Sequence, residues 1–440
     1  MSRIKNLWNN RRANVWIFIE LVIISIVTWI IADPVTVAVS DSMLPTGYDN
    51  DRLLIAGIAH LDPEAPGYDG SRDTLAVNTA DVETVLMKLR NHPLVESVTI
   101  DKGFGVPGNI SVSLDCPRSG NQAVDTVVKM TNVFYYHRGT DFFQTFGIKS
   151  AEGSPSPEEL SEMEAKGPDK VIITRELGEL YWPGENAVGK KFVRNSGQDG
   201  EEKYMTVIGV IEGIRHQRPY RSYCAMFYSG DGIFDDEPQR TFKAVIRLKN
   251  PDNVKAQAEE LFQWGSRELV TGNFYLRTID TYNDFLDDTD KSLGIPNQLS
   301  LRYMLAGFFL VNLILGIVGT FWLQTRKRVT EMGIRRAFGS PRRGIIGMMV
   351  GENFLLATVA CICGFLIYWQ YALRNGLEEG YVNNGAINVI DNWISHFGQH
   401  FAVVSIIVYL LIILCVIVGT LIPAMSVSKV EIVDSLRSKE

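Results

Sequence analysis

Residues 326–352 read RKRVTEMGIRRAFGSPRRGIIGMMVGE, a strongly basic stretch between two long apolar runs. Its basic residues are Arg326, Lys327, Arg328, Arg335, Arg336, Arg342 and Arg343. This much charge is too costly to place in lipid. Because Lys and Arg in short loops stay on the cytoplasmic side of a membrane, the stretch predicts a cytoplasmic loop between two membrane helices.

Four apolar runs are long enough to cross a membrane, since spanning its hydrocarbon core takes about 20 residues. They are residues 15–32, 301–324, 344–369 and 401–424. The first run follows several basic residues and has no small-residue cleavage site before Asp33, so a retained anchor is favoured over a removed signal peptide. Residues 325–343 and 370–400 then form the loops between the last three helices.

The charge distribution orients these helices. Residues 33–300 carry 27 basic and 41 acidic residues, whereas the residues before 15 carry four basic and no acidic ones. We therefore predict that both termini and the loop 325–343 are cytoplasmic and that residues 33–300 and 370–400 lie outside. Residues 1–14 fit either an amphipathic segment on the inner membrane surface or a plain basic tail, and residues 425–440 form a cytoplasmic tail.

The outer segment has the composition and length of an α+β domain. From residue 74 the chain reads as a strand LAVNT, a helix over 80–91, and the strands VESVTID and NISVSLD. Residues 242–279 repeat the rhythm of strand, helix and strand. A βαβ-type unit at each end, about 70–120 and 240–285, predicts one split domain interrupted by an inserted subdomain at about 121–239.

Motifs that would indicate an enzyme are weak or absent. GENAVGKK, residues 184–191, matches a phosphate loop, but Lys191 stands where Ser or Thr would hold Mg²⁺. A turn before a strand beginning at Lys191 is favoured instead. His396 and His400 lie four residues apart, which favours a polar face at the membrane surface over a metal site. We predict a non-catalytic chain with no cofactor of its own.

The five cysteines do not form a framework of disulfides. Three lie in predicted membrane helices, and Cys116 and Cys224 lie outside. One bridge between these two is left open, because spacing along the chain does not fix their distance.

The basic loop itself predicts a short helix followed by a sharp corner. Gly339 suits the left-handed residue that ends a helix, Ser340 is a good N-cap, and Pro341 suits a first helical turn. The short helix, about 327–338, carries Ile334 and Phe338 among its arginines, so it is apolar enough to dock on another protein.

The sequence of this loop resembles the coupling-helix motif of FtsX/MacB-like ABC transporter permeases, which commonly reads EIGIRRALGA followed by a glutamate in the next membrane helix. The tail IPAMSVSKVEIVDSLRSKE and the outer stretches FYYHRGTDFFQTFGIK and YMTVIGVIEGIRH also resemble this family. The matching positions are Glu331, Gly333, Ile334, Arg335, Arg336, Ala337, Gly339 and Glu352, with Met332 and Phe338 as apolar replacements.

The resemblance implies a permease or mechanotransmission subunit in a bacterial inner membrane. A separate cytoplasmic ATPase would bind ATP and Mg²⁺, and the chain would pair as a homodimer or with a second permease. The βαβ-type units would be the porter-like subdomain and the insertion the sabre-like one. A periplasmic adaptor or an outer-membrane duct are further possible partners.

Three functions stay open. The first is efflux of peptides, toxins or small amphiphiles. The second is lipoprotein release or regulation of a periplasmic enzyme on the same scaffold. The third is a membrane-anchored receptor without an ATPase.

The resemblance also implies roles for single residues. Arg335 and Arg336 would pair with acidic groups of the ATPase, and Ile334 and Phe338 would fill its docking groove. Carboxylates in a membrane helix are costly unless paired. We expect an arginine of the loop beside Glu352, and for Glu20 either exposure at the cytoplasmic end or a partner such as Arg12 or a neighbouring helix.

Overall fold

The structure is a computed structural model that describes residues 11–101, 105–110, 113–118, 130–165, 169–194, 203–230, 241–378 and 392–429. The chain divides into two compact units. The first comprises residues 1–40, 297–380 and 391–440, and the second comprises residues 41–296 and 381–390.

The helices in chain order are α1 (Arg11–Ser42), α2 (Leu75–Arg90), α3 (Phe142–Phe146), α4 (Pro157–Glu162), α5 (Arg175–Tyr181), α6 (Val254–Glu268), α7 (Tyr282–Ser292), α8 (Ile295–Lys327), α9 (Val329–Ala337), α10 (Arg342–Asn375) and α11 (Phe397–Lys429). The strands are β1 (Leu53–His60), β2 (Val95–Asp101), β3 (Ser113–Asp115), β4 (Thr131–His137), β5 (Lys170–Thr174), β6 (Lys191–Arg194), β7 (Lys203–Ile211), β8 (Ala225–Gly230), β9 (Thr241–Leu248) and β10 (Phe274–Thr281).

Within the described residues, four helices, α1, α8, α10 and α11, are long and apolar enough to cross a membrane. This confirms the four predicted spans, and each helix is longer than its predicted run. In the first unit α1 packs so closely on α10 that Gly364 leaves no room for a Cβ beside the hydroxyl of Ser25. Trp29 is fully buried between the rings of Tyr368 and Phe401, at centroid distances of 4.3 and 5.2 Å.

The second unit contains a four-stranded sheet in the order β10-β1-β9-β2. β1 is antiparallel to both β9 and β10, and β2 is antiparallel to β9. The elements β1-α2-β2 and β9-α6-β10 are therefore two split βαβ units whose strands interleave. The apolar faces of α2 and α6, including Val85 and Leu261, share one hydrophobic core with this sheet.

The first strand of this sheet differs from the prediction. LAVNT, predicted as a strand, is the first part of α2, because Thr74 caps that helix by accepting the N–H of Val77. The true first strand is Leu53–His60, in which every residue but Gly57 is buried. Of the predicted strand NISVSLD, the described strand is Ser113–Asp115, while residues 111 and 112 lie outside the described residues.

The second sheet of this unit has six strands in the order β3-β4-β8-β5-β7-β6, with parallel pairs β4/β8 and β5/β7. The segment GENAVGKK, residues 184–191, which matches the phosphate-loop pattern, lies between α5 and the start of β6. Its Gly184 and Gly189 are in the left-handed region at φ values of 72° and 84°. The predicted turn is thus confirmed. Cys116 and Cys224 are both free thiols, so no bridge joins them.

Candidate functional site: the charged helix of the arginine-rich loop

The arginine-rich loop folds into a short helix with a tight corner at each end. Only Arg328 separates the end of α8 from the start of α9. After α9 the backbone turns at Gly339, whose φ of 88° is left-handed as predicted, and the N–H of Ser340 donates to the carbonyl of Arg335 at 3.1 Å.

The prediction of Ser340 as the next N-cap is wrong. Pro341 occupies the cap position with extended backbone, at φ −69° and ψ 149°, and α10 begins at Arg342. No side chain caps this helix. The N–H groups of Gly344 and Ile345 instead donate to the carbonyl of Pro341 at 3.0 and 3.2 Å, so these backbone donors at the start of α10 have hydrogen-bond partners.

One face of α9 is packed against the membrane helices. Met332 is 2% exposed and shares a hydrophobic cluster with Ile345 and Met349 of α10 and Ala424 of α11. Gly333, next in sequence, is also buried. This buried face attaches α9 to two of the four long helices.

A chain of alternating charges strengthens this attachment. Arg328 Nη1 lies 2.7 Å from Glu352 Oε2, and its Nε lies 3.0 Å from Glu331 Oε2. Glu331 in turn accepts from Arg335 Nη2 at 2.9 Å. Glu352 is 2% exposed, and a buried carboxylate is costly without such partners. The expected arginine beside Glu352 is thus Arg328.

The ionisation of the network follows from these contacts. Burial favours the neutral form of Glu331, but its hydrogen bond to Arg328 and the charges of Arg328 and Arg335 outweigh burial and lower the pKa of Glu331. Burial likewise opposes the charged form of Arg328, and its bonds to Glu331 and Glu352 overcome this and raise the pKa of Arg328. Arg328 and Glu331 are therefore both charged at neutral pH.

The opposite face of α9 is open. Ile334 is 44% exposed and Phe338 is 88% exposed, and Arg342 and Arg343 are exposed just beyond the corner. Large apolar side chains surrounded by cations form a surface suited to a partner with an apolar groove and acidic rim.

The remaining predicted site residues take several positions. Ala337 and Gly339 are exposed at the end of the loop helix. Arg335 is partly exposed, bonded to Glu331 and also 3.0 Å from the sulfur of Met348. Arg336 lies within α9, but its side chain lies outside the described part of the structure.

Glu20 has a partner on a neighbouring helix. Thr320 Oγ1 of α8 donates to Glu20 Oε1 at 2.9 Å, which matches one of the alternatives predicted for it. The side chain of Arg12 lies outside the described residues.

Sequence reasoning missed the central role of Arg328, which it counted only as one basic residue of the loop. A signal was present, because Arg328, Glu331 and Arg335 follow each other at spacings of three and four, which place them on one helical face. Within the described residues, no group of three His, Cys, Asp or Glu side chains is arranged to hold a metal ion.

The region that contains α9 is similar to a known protein family. Residues 303–432 match the family model of the FtsX-like permease C-terminal domain. A relative is the pyoverdine export ATP-binding/permease protein of Pseudomonas putida, 25% identical over 246 residues. The match covers 53% of this chain and 35% of that protein, so the chain spans about a third of the length of this relative.

Two solved structures are similar to part of the chain. The periplasmic region of MacB from Actinobacillus actinomycetemcomitans aligns with 56% of this chain and 94% of its own, at 13% identity and a TM-score of 0.30. The extracellular domain of the noncanonic ABC-type transporter YknZ from Gram-positive bacteria aligns with 51% of this chain and 100% of its own, at 12% identity and a TM-score of 0.29.

Proposed function

We propose that this chain, whose residues 303–432 match the family model of the FtsX-like permease C-terminal domain, is the membrane subunit of an ABC transporter. In this proposal a separate cytoplasmic ATPase docks on α9, and its ATP-driven movements pass through the long helices to the second unit, residues 41–296 and 381–390, called the α/β unit below. The chain itself is not an enzyme, and ATP and Mg²⁺ are bound by the partner.

The observation that carries the proposal is the two-faced construction of α9. A helix that only connects two spans does not require a large exposed apolar side chain, yet Phe338 is 88% exposed. Exposed aromatic side chains beside arginines are typical of binding surfaces. The proposal assigns Ile334 and Phe338 to the docking contact, with Arg336 and Arg335 beside acidic groups of the ATPase.

To pass on the movements of the ATPase, α9 must also be held rigidly against the long helices, and its buried face does this. A force applied to the exposed face reaches α10 directly, because Arg328 joins the corner before α9 to Glu352, and Met332 packs against Met349. A loop held only by its two ends would absorb the same force by bending.

The membrane topology completes the proposal. With the arginine-rich loop and both termini in the cytoplasm, the α/β unit lies on the outer side of the bacterial inner membrane. Pairing with a second copy or another permease would cover α8, whose apolar side chains Phe308, Val311 and Leu315 are all more than half exposed.

Efflux of peptides, toxins or small amphiphiles is the activity that we favour. The name of the Pseudomonas relative includes both export and permease. Lipoprotein release or regulation of a periplasmic enzyme on the same scaffold is the alternative. A periplasmic adaptor or outer-membrane duct belongs to the efflux version.

The docking surface can be tested by co-purification. We expect Ile334→Asp with Phe338→Asp to abolish co-purification of the co-expressed ATPase, because both charges would enter an apolar contact. The same change at Met87, which is 62% exposed on α2, is the matched control and should leave the complex intact. Arg335→Glu with Arg336→Glu should also abolish it.

Activity separates the competing functions. Vanadate-sensitive ATP hydrolysis that depends on both chains supports a transporter or a regulator, and ATP-driven movement of solute across vesicles that contain the complex supports efflux. Undiminished co-purification of the Ile334→Asp, Phe338→Asp variant would overturn the docking assignment. A membrane receptor without an ATPase predicts that no ATPase binds even the unchanged chain.

A further inference from the structure

One face of α8 is exposed along its membrane span. The other face packs within the first unit, where Ile317 and Phe321 are 1% and 0% exposed and belong to the core shared by the long helices. On the far side of the helix, Phe308 is 61% exposed and Leu315 is 65% exposed. Since about 3.6 residues make one helical turn, neighbouring residues on this exposed side are three or four positions apart.

The residues of this exposed face follow a seven-residue repeat. They form two rows, and every member is exposed: Leu305, Asn312 and Gly319 in one row, and Leu301, Phe308 and Leu315 in the other. The two rows stand at the a and d positions of a heptad, which is the contact seam of a left-handed pair of helices. The exposed face of α8 therefore has the geometry of a helix-pairing seam.

Asn312 is the polar residue of this seam and lies at the middle of the predicted span, residues 301–324. Its Nδ2 donates to the backbone carbonyl of Phe308 at 2.8 Å, which is its one hydrogen bond among the described residues. A carboxamide offers two N–H donors and an acceptor oxygen with two lone pairs, so most of this capacity is unused. Lipid tails cannot supply the missing partners. An exposed amide at this depth therefore indicates a polar partner rather than lipid alone.

A second copy of this chain carries the required group at the required depth. Two copies cross the membrane in the same orientation, so a parallel pair about a twofold axis places Asn312 opposite Asn312. Because an amide is both donor and acceptor, two of them complete each other's hydrogen bonds. The seam also permits close approach beyond this point: a Cβ added to Gly316 or Gly319 would meet no atom of the described residues within 4 Å. Small residues of this kind are typical of helix pairs in membranes.

We propose that α8 pairs with α8 of a second copy of this chain as a parallel, left-handed coil, and that Asn312 fixes the register of the pair. A single asparagine at an a position has this effect in coiled coils, because every shifted register leaves its amide without a partner. The inference rests on the proposed function, which pairs two permease chains, and it names both the partner and the contact surface.

Disulfide cross-linking in membranes maps the seam. A full-length variant whose five native cysteines are replaced by alanine receives one new cysteine at a time. We expect Leu305→Cys, Phe308→Cys and Leu315→Cys to form covalent dimers on mild oxidation. Leu310→Cys and Ile314→Cys are the matched controls, because both positions are 38% exposed but lie off the seam, and they should stay monomeric. Controls that cross-link as readily as the seam positions, or seam positions that do not cross-link, overturn the proposal.

The role of Asn312 is measured in the association equilibrium. Energy transfer between full-length copies labelled with donor or acceptor dye gives the dissociation constant in lipid vesicles at increasing dilution. We expect Asn312→Leu to raise this constant about 3- to 20-fold, the range for hydrogen bonds between membrane helices, and Asn312→Gln, which keeps the amide, to recover part of the loss. Equal constants for the unchanged chain and Asn312→Leu overturn the proposal. Unchanged copies that stay monomeric at every dilution, as a chain that pairs only with a different permease would, also overturn it.

Thr28→Val tests for a partner of the amide within the same chain. The hydroxyl of Thr28, on α1, lines the same apolar groove as Asn312 and has no hydrogen-bond partner among the described residues. We expect Thr28→Val to leave the dissociation constant unchanged. A loss equal to that of Asn312→Leu would assign the amide to α1 and overturn the proposal. Since no ATPase is present in these experiments, a failure of pairing is seen separately from a failure of docking on α9.

Discussion

Replacing Arg328 with methionine tests how α9 is held. The substitution keeps an unbranched apolar stem but removes the charge that lies 2.7 Å from Glu352. Because Glu352 is 2% exposed, we expect the free energy of unfolding to fall by about 3 kcal/mol, the lower part of the range for breaking a buried pair. The contact of Arg328 with Glu331 adds little, since Glu331 is 36% exposed.

The size of this loss is measured by reversible unfolding in mixed micelles or nanodiscs. The double variant Arg328→Met, Glu352→Met should recover stability to within about 1 kcal/mol of the unchanged protein, because it leaves no buried charge. Arg335→Met is the matched control: both members of its pair with Glu331 are 36% exposed, so the loss should be about 1 kcal/mol or less.

The same variant separates docking from coupling. Arg328→Met leaves Ile334 and Phe338 exposed, so we expect the ATPase still to co-purify while its stimulation by the membrane subunit is lost. The reasoning is refuted if Arg328→Met is as stable as the unchanged protein, or if the double variant is as unstable as the single one.

Two more predictions concern the α/β unit. Arg221→Met should lower the free energy of unfolding by about 3–5 kcal/mol, because Arg221 and Asp41 form a bidentate pair at 2.6 and 2.9 Å with side chains 7% and 6% exposed. The second change Asp41→Asn, added to Arg221→Met, should restore much of this loss. Unfolding titrations in which the two changes give additive losses would contradict the prediction. Burial raises the pKa of Glu176 above its ordinary value of 4.5, so its ionisation destabilises the folded state as the pH rises through the folded-state pKa. Glu176→Gln should therefore be more stable than the unchanged protein at pH 8 but equal to it below pH 4.5. Denaturation curves that show the same stability difference at every pH would refute the raised pKa of Glu176.

The membrane helices were predictable because their signal is local and strong. A run of about 20 apolar residues between charged segments has the length that a helix needs to cross the hydrocarbon core. The corner at Gly339 was also predictable, since a left-handed residue after a helix favours glycine on steric grounds. Ser340 failed as an N-cap because the chain remains extended for one more residue, through Pro341.

The first strand of the four-stranded sheet was missed for a physical reason. LLIAGIAH is buried on both faces, so it lacks the alternation that identifies a half-exposed strand. LAVNT has strand-like residues, but the cap from Thr74 and the contacts of the whole helix prevail over local preference.

The partners of the buried charged and polar side chains could not be predicted from local sequence patterns. The sequence indicated that Glu352 requires an arginine but not which one, since Arg328 lies 24 residues away across a corner. For His400 the local spacing pointed to a polar face shared with His396, whereas His400 is buried and its Nε2 lies 2.6 Å from Oδ1 of Asp33 in α1. Such contacts follow from how the helices pack, which hydropathy does not encode.

The interleaved sheet constrains the order in which the chain folds during synthesis. β1 is made early, yet both of its hydrogen-bonded neighbours, β9 and β10, belong to residues 241–281. Until those residues have been synthesised, both edges of an apolar strand stay unpaired and open to association with other chains. We expect the α/β unit to fold late and slowly, while the six-stranded sheet, whose strands all lie between residues 113 and 230, can assemble first.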